Sequence, residues 1–185
     1  GTFPEGSSQV KDKNGNSSAV QVLKSGEAVF VAEDVPAMGS KIYYRDAKPS
    51  GTVQVAAPGK TSLENEFFIA ETDPASGAVS RIYDKSLDKE LVDLSGLPGI
   101  NAYYYVAGRD PSHPRPVEMV KTKVLESGPV VSSLLVAAQA PGCRYLSREI
   151  RLIHGLHRIE IINRINKAGI LESEGVHMAF PFHVP

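Results

Sequence analysis

The sequence predicts an all-β protein built from antiparallel strands. Its 16 glycines and 13 prolines interrupt the 185-residue chain at short intervals, and both residue types favour turns over regular elements. Between them the apolar residues alternate with a period of two, which is the spacing of a half-buried strand and not that of a helix. A chain of this length can form one large β domain or two small ones.

The N-terminal part is expected to form a small antiparallel β-sandwich segment over residues 1–48. Asn14 and Gly15 form a dipeptide that favours a type I′ hairpin. A bend at residues 34–39, which contains proline and glycine, is expected to join two further strands. The strands predicted here are residues 9–11, 19–23, 29–32 and 41–45.

Residues 49–60 have the composition of a linker, because proline, serine and glycine are frequent and large apolar side chains are few. We therefore place a second unit at residues 61–185. It opens with a predicted hairpin of two strands, residues 63–71 and 78–83, around a turn at 72–77. Its other predicted strands, spaced as in an antiparallel sandwich, are residues 101–106, 117–125, 130–139, 148–153 and 158–165, and a final apolar strand follows them. Residues 87–92 are the only plausible helical stretch.

Charge and cysteine content narrow the function classes. The 20 basic and 21 acidic residues give a net charge of −1, which offers no surplus for phosphate backbones or anionic lipid. We therefore expect no nucleic-acid and no membrane partner. The first residues lack the features of a signal peptide and no run is long enough to span a bilayer, so we interpret the chain as an interior segment. The single cysteine, Cys143, excludes an intrachain disulfide and is expected to be an inert turn residue.

The acidic residues give no clear catalytic pair. Glycoside hydrolysis needs two carboxyl groups about 5 to 10 Å apart. Glu64 and Glu66 would share one face of the strand predicted at 63–71, but a solvated outer face explains them better. Glu149 lies between Arg148 and Arg151, which predicts ion pairing at the surface.

The histidines give no clear metal site. His154 and His157 flank a predicted two-residue turn and could share a metal, but zinc requires three or four protein ligands and no third stands at a recognisable spacing. His113 is expected on an exposed loop, and His177 and His183 at the core or an interface. Nucleotide-binding and hydrolase fingerprints are missing as well. We therefore predict no catalytic residue, no metal ligand and no cofactor in this segment.

Residues 101–109 contain consecutive tyrosines followed by a loop. Tyrosine offers a flat apolar face and a hydroxyl, which suit contacts with a sugar. Alternation along a strand sends Tyr103 and Tyr105 to one face and Tyr104 to the other, so at least one face packs in the core.

Several stretches resemble, in order, the C-terminal half of the glycoside hydrolase family 38 α-mannosidases. Residues 29–39 resemble the family's V-P-x-x-G-Y bend, with Ser40 where tyrosine is usual. Residues 63–85 resemble its LEN, D-x-x-x-G-x-I and Y-D-K motifs, and residues 174–182 its E-x-x-x-x-A-F-P-F strand.

The resemblance implies a small β-sandwich followed by part of a supersandwich similar to galactose mutarotase. In that family a separate N-terminal domain carries the catalytic acids and the zinc ligands, and none of those motifs is present here. The implied role is to pack on the catalytic domain of the same parent chain and help form the pocket for a mannose-containing glycan. Zinc is then expected in the parent's catalytic domain, and this segment alone is expected to be inactive. By position, Tyr103 resembles a family tyrosine that approaches the sugar.

Two other functions remain open. The first is a carbohydrate-binding β-sandwich module that uses the stretch from Tyr103 to Arg109. The second is a mutarotase-like enzyme with His154 or His177 and a glutamate as acid and base. An incomplete sheet would also leave an unpaired edge, which predicts self-association through an edge strand.

Overall fold

The computed structural model of the chain describes residues 9–46 and 57–183, and every regular element in these two ranges is a strand. The all-β prediction is therefore confirmed. Within the same ranges, no helix is long and apolar enough to cross a membrane. In chain order the strands are β1 (Gln9–Asp12), β2 (Ser17–Ala19), β3 (Gln21–Val22), β4 (Ala28–Val29), β5 (Tyr43–Asp46), β6 (Ser62–Glu64), β7 (Phe68–Thr72), β8 (Val79–Asp84), β9 (Lys89–Glu90), β10 (Ala102–Ala107), β11 (Glu118–Ser127), β12 (Val131–Gln139), β13 (Cys143–Ile153), β14 (Ile159–Lys167) and β15 (Glu174–Ala179).

The N-terminal strands form two small antiparallel sheets, ordered β2-β1-β5 and β3-β4. The hairpin predicted at Asn14 and Gly15 is present, but its turn is not of type I′. Gly15 alone has a positive φ, of 86°, and its N–H donates to the carbonyl of Asp12 at 3.0 Å. A type I′ turn would need a positive φ at Asn14 as well, so the loop is a three-residue one with a left-handed glycine.

The N-terminal strands pack against the remainder of the described chain. Leu23 forms a core cluster with Val130 and Val131. The carboxamide of the buried Gln21 accepts hydrogen bonds from the N–H groups of Val130 and Val131 and donates one to the Val131 carbonyl at 3.0 Å. Most of the linker predicted at residues 49–60 lies outside the described residues, so the domain boundary stays a prediction.

The main core lies between two four-stranded antiparallel sheets, β6-β7-β8-β9 and β11-β12-β13-β14. Each sheet turns one apolar face inward, as the period-two pattern predicts. The two-stranded sheet of β10 and β15 packs its inner tyrosines on the larger sheet in a second cluster with Val117, Ala140 and Leu146. The buried residues of the main core are Leu63, Phe68, Val79, Ile82, Ile100, Leu134, Val136, Ile150 and Leu152.

The strand predicted over residues 63–71 is broken into β6 and β7. The carboxamide oxygen of Asn65 accepts hydrogen bonds from the N–H groups of Phe67 and Phe68, at 3.0 and 2.7 Å. Such a side-chain acceptor mimics a backbone turn. Glu66 therefore lies in a turn and does not share a strand face with Glu64.

The helix considered at residues 87–92 is not formed. The carboxylate of Asp84 accepts hydrogen bonds from the N–H groups of Ser86 and Leu87, and Asp88 has a positive φ of 53°. These features turn the chain back so that β9 pairs with β8.

The surface position predicted for Glu149 is wrong. Glu149 is only 1% exposed, and its carboxylate accepts hydrogen bonds from Arg151 at 2.8 Å and Arg164 at 3.2 Å. It lies at the centre of the larger sheet, opposite Leu135 of β12 and Ile162 of β14. Burial alone would raise the pKa of the carboxyl, but the two arginines hold it below its usual value.

Arg148 points from the same strand into the core and is fully buried. Its guanidinium donates to the carbonyl oxygens of Ser76 at 2.7 Å and Asn101 at 3.0 Å. Burial disfavours the charged form and lowers the pKa of Arg148 to about 10, so the side chain stays protonated at neutral pH. It joins the turn before β8 to the start of β10.

Candidate functional site

The β10–β15 sheet is the site at which the sequence predicted a sugar contact. The strands pair antiparallel, with Tyr104 opposite His177. Asn101 holds the start of this sheet in place. Its φ is 63°, a left-handed backbone angle that asparagine adopts more readily than most residues. The N–H of Asn101 donates to the Ala179 carbonyl at 2.6 Å, and its carboxamide exchanges two hydrogen bonds of 2.9 Å with that of Asn163.

The inner face of this sheet is closed. Tyr103 and Tyr105 are 1% and 3% exposed. The Tyr103 hydroxyl donates to the Pro141 carbonyl and lies 3.3 Å from the sulfur of Cys143, and burial raises the pKa of this hydroxyl above its ordinary value. Contact between Tyr103 and a sugar stays a prediction, and in this structure the hydroxyl is bound to the Pro141 carbonyl of the turn between β12 and β13.

The outer face carries an open depression of about 430 Å³, which we name the Tyr104 depression. It combines an aromatic ring, an imidazole and aliphatic side chains, and none of its lining residues is a carboxylate. Such a surface can stack on an apolar face of a sugar ring or on a flat side chain. Alternation along β10 already places Tyr104 on the face opposite to that of Tyr103, so an outward-facing Tyr104 could have been predicted from the sequence. The lining residues are Gly96, Leu97, Tyr104, Val106, Pro111, Pro114 and His177.

A second, more polar depression of about 650 Å³ lies beside the turn between β12 and β13. Arg115 and Glu118 line it together with residues 138–145. The guanidinium of Arg115 lies 4.9 Å from the centre of the Tyr105 ring, which is within the range of a cation–π contact. Cys143 is a free, half-buried thiol here, at the start of β13 rather than within the turn.

His154 and His157 flank the predicted turn but do not converge on one point. His154 Nδ1 lies 3.4 Å from a carboxylate oxygen of Glu66, whereas His157 Nε2 lies 3.0 Å from Asp84. The His157 ring stacks on Phe68 with 4.7 Å between ring centres and an angle of 7°. Across residues 9–46 and 57–183, no group of three or more histidine, cysteine, aspartate or glutamate side chains could hold a metal ion.

The carboxyl groups are arranged as ionised acceptors. Burial would raise the pKa of Glu66, but the N–H of Gly155 and the His154 ring bind its carboxylate, and the net pKa lies below the ordinary value. A general acid for glycoside cleavage needs the opposite, a raised pKa. In the part of the chain that the structure describes, the carboxyl groups whose pKa departs from its ordinary value all have a lowered pKa: Asp12, Glu66, Asp73, Asp84, Asp93, Asp110, Glu149 and Glu174.

Of the acid–base pairs considered from the sequence, the described residues bring only His154 and a glutamate into contact. Glu64 binds Lys85 at 2.7 Å, apart from Glu66. His154 does contact Glu66, but within the described residues no carboxylate is hydrogen bonded to His177. His113, which accepts or donates a 2.8 Å bond with the Ser112 hydroxyl, is exposed as expected.

Residues 63–185 match the family model described as glycosyl hydrolases family 38 C-terminal domain. The chain belongs to glycosyl hydrolase family 38. The matched range of this family 38 domain includes both sheets of the main sandwich and the β10–β15 sheet. A comparison with curated proteins gives no match.

The motif residues of the family 38 domain have structural contacts. Asn65 donates to the Ile153 carbonyl at 3.2 Å, and Lys85 donates to the Asn65 carbonyl at 2.7 Å. Gly77 has a φ of 63°, and a Cβ added there would lie 2.4 Å from Val136 and 2.6 Å from Arg148. These residues join the hairpin of β7 and β8 to the larger sheet.

Proposed function

We propose that this chain is a non-catalytic β region of a family 38 α-mannosidase, which packs on the catalytic domain of the same parent chain and helps form its sugar pocket. The family match over residues 63–185 carries the proposal. The carboxyl groups support it, because those with a shifted pKa are all held ionised by their neighbours and are poorly suited to donate a proton to a leaving group.

An exposed apolar area near the end of β15 supports the packing role. Phe180 and Phe182 are 50% and 52% exposed, and Leu94 is 54% exposed. Their backbone is hydrogen bonded to a neighbouring segment, because Val92 and Phe182 form a bridge and the N–H of Asp93 donates to the Pro181 carbonyl at 3.0 Å. Large apolar side chains held at a surface in this way mark a protein interface.

The zinc of such an enzyme would be held outside this chain. His154 and His157 bind separate carboxylates, so the described residues do not fit a zinc site. In the parent, zinc would act as a Lewis acid toward an oxygen of the substrate.

Tyrosine variants of the parent chain test the pocket role. Tyr104→Ala removes the ring from the outer face, and Tyr103→Phe removes only the buried hydroxyl. Tyr44→Ala is the control, because Tyr44 is 58% exposed in the N-terminal sheet. We expect Tyr104→Ala to raise the KM for an aryl α-mannoside severalfold while it lowers the free energy of unfolding by less than about 1 kcal/mol, and we expect Tyr44→Ala to leave the KM unaltered. Unaltered kinetics in both Tyr103→Phe and Tyr104→Ala would contradict a part for this sheet in the pocket.

A carbohydrate-binding module is the second candidate, and the Tyr104 depression favours it. If the chain binds sugar alone, millimolar mannose should shift the NMR signals of Tyr104 and His177 in a saturable way. Absence of any shift, with the fold intact, would remove this candidate and leave the accessory role unaffected.

A further inference from the structure

The two edges of the larger sheet differ. β11, at one edge, has register irregularities between Glu118 and Lys121 and between Val124 and Glu126. β-Bulges of this kind disrupt the hydrogen-bonding pattern of an edge strand and make it less able to pair with another strand. β14, at the other edge, pairs with β13 in regular register from Leu152 to Tyr145. Of the strands in the described ranges, only β13 pairs with β14.

β14 has neither a proline nor a bulge between Ile159 and Asn166, two features that often protect a sheet edge. It runs from Ile159 to Lys167 without proline or glycine. Ile165 is 44% exposed on the face that turns toward the core. A long, regular edge strand with exposed apolar side chains is a template for strand addition.

We propose that β14 pairs with β14 of a second copy of this chain, antiparallel and centred on Ile162, to join the two larger sheets into one. A two-fold axis at Ile162 places Glu160 opposite Arg164 of the second copy, and Ile159 opposite Ile165. Both pairs occur twice because the interface is symmetric. Opposite charges and paired apolar side chains directly across two strands stabilise the pairing.

Neighbouring registers fit less well. Moving the centre to Ile161 sets Arg158 opposite Arg164 of the second copy, which is a like-charge contact. Moving it to Asn163 sets Arg164 opposite Ile162, so the charges lose their partners. A two-fold axis placed between two neighbouring residues would set core-facing side chains opposite outward-facing ones.

The ion pairs within each copy are compatible with this interface. Arg164 is 53% exposed at its side chain while it binds Glu149 at 3.2 Å, so it has further donors for a second carboxylate. Glu160 is 30% exposed and binds Arg158 at 2.8 Å. The pairing therefore extends an existing charge network and does not bury a lone charge.

Sedimentation equilibrium of the 185-residue chain over a range of concentrations tests the association. We expect a reversible dimer that Ile165→Lys weakens roughly tenfold, because a lysine replaces an apolar partner at two symmetric contacts. Met119→Lys is the control, because Met119 is an exposed apolar residue of the opposite edge strand and should not alter the dimer. A monomer at all concentrations, or equal effects of both variants, would overturn the proposal.

Cysteine cross-linking tests the register, in a Cys143→Ser background. Ile162→Cys should cross-link to itself across the axis, because residues directly opposite on paired strands approach disulfide distance. Ile159→Cys and Ile165→Cys should cross-link when mixed and not separately, since each lies about 20 Å from its own copy across the axis. Absence of the Ile162→Cys cross-link, or a cross-link of Ile165→Cys to its own copy, would overturn the proposed register.

Discussion

Replacing Asn65 with alanine tests the junction between the β6–β7 turn and the turn after β13. Asn65 is 5% exposed. Its carboxamide accepts hydrogen bonds from the N–H groups of Phe67 and Phe68 and donates to the Ile153 carbonyl. Alanine removes all three hydrogen bonds and leaves the N–H of Phe68 buried without this acceptor.

The expected loss follows from these contacts. A hydrogen bond contributes about 0.5 to 1.5 kcal/mol net, and an orphaned buried donor costs about 1 to 3 kcal/mol. Asn65→Ala should therefore lower the free energy of unfolding by about 3 kcal/mol. Urea unfolding followed by circular dichroism should show a lower midpoint with an unchanged slope, and the melting temperature should fall by roughly 6 to 12 °C.

The matched control is Asn14→Ala, at an exposed asparagine of the β1–β2 turn. Surface substitutions of this kind change stability by less than about 0.5 kcal/mol. A loss below about 1 kcal/mol for Asn65→Ala, or one equal to that of Asn14→Ala, would refute the conclusion that Asn65 joins the two turns.

Three further predictions concern single residues. Gly77→Ala should lower the free energy of unfolding, measured by urea titration, by about 3 kcal/mol or more. A left-handed backbone costs a residue with a side chain about 1 to 2 kcal/mol, and the new Cβ would lie 2.4 Å from Val136. An unchanged free energy of unfolding would contradict this geometry. The Asp84 pKa lies below its ordinary value of 3.8, because hydrogen-bond donors outweigh burial, so its contribution to stability is present above about pH 4 and lost as pH falls further. Asp84→Asn should therefore flatten the acid side of a stability–pH profile, and an unchanged slope would contradict this. Tyr103→Ala should lower the free energy of unfolding by about 3 to 5 kcal/mol, whereas Tyr104→Ala should lower it by less than about 1 kcal/mol. Equal losses in thermal unfolding would show that the buried and outer faces of the β10–β15 sheet are misassigned.

The sequence predicts the strands well where alternation and turn residues agree. The hairpin around residues 72–77 and the strands from β10 to β15 follow the predicted order. Residues 63–71 are wrongly predicted as one strand because Leu63, Phe67 and Ile69 alternate as they would in a strand. The turn that breaks this strand depends on hydrogen bonds to a single carboxamide, that of Asn65. A polar side chain with two local backbone partners is difficult to infer from periodicity alone.

The candidate site shows the same limit. Alternation separates Tyr103 from Tyr104, but the choice of the buried face depends on Val117 and Leu146, which arrive from distant strands. The sequence predicts an exposed Glu149 because arginines flank it, but in the sheet Glu149 lies between β12 and β14 and is buried. Long-range packing decides both cases, and a local pattern contains no information about it.

We propose that this family 38 region contributes to an α-mannosidase without carrying its catalytic residues. The most direct test measures bound zinc and the hydrolysis of an aryl α-mannoside for this chain and for the parent chain that contains it. We expect zinc and turnover in the parent and neither in the 185-residue chain. Turnover by the isolated chain, or stoichiometric zinc bound to it, would contradict the account.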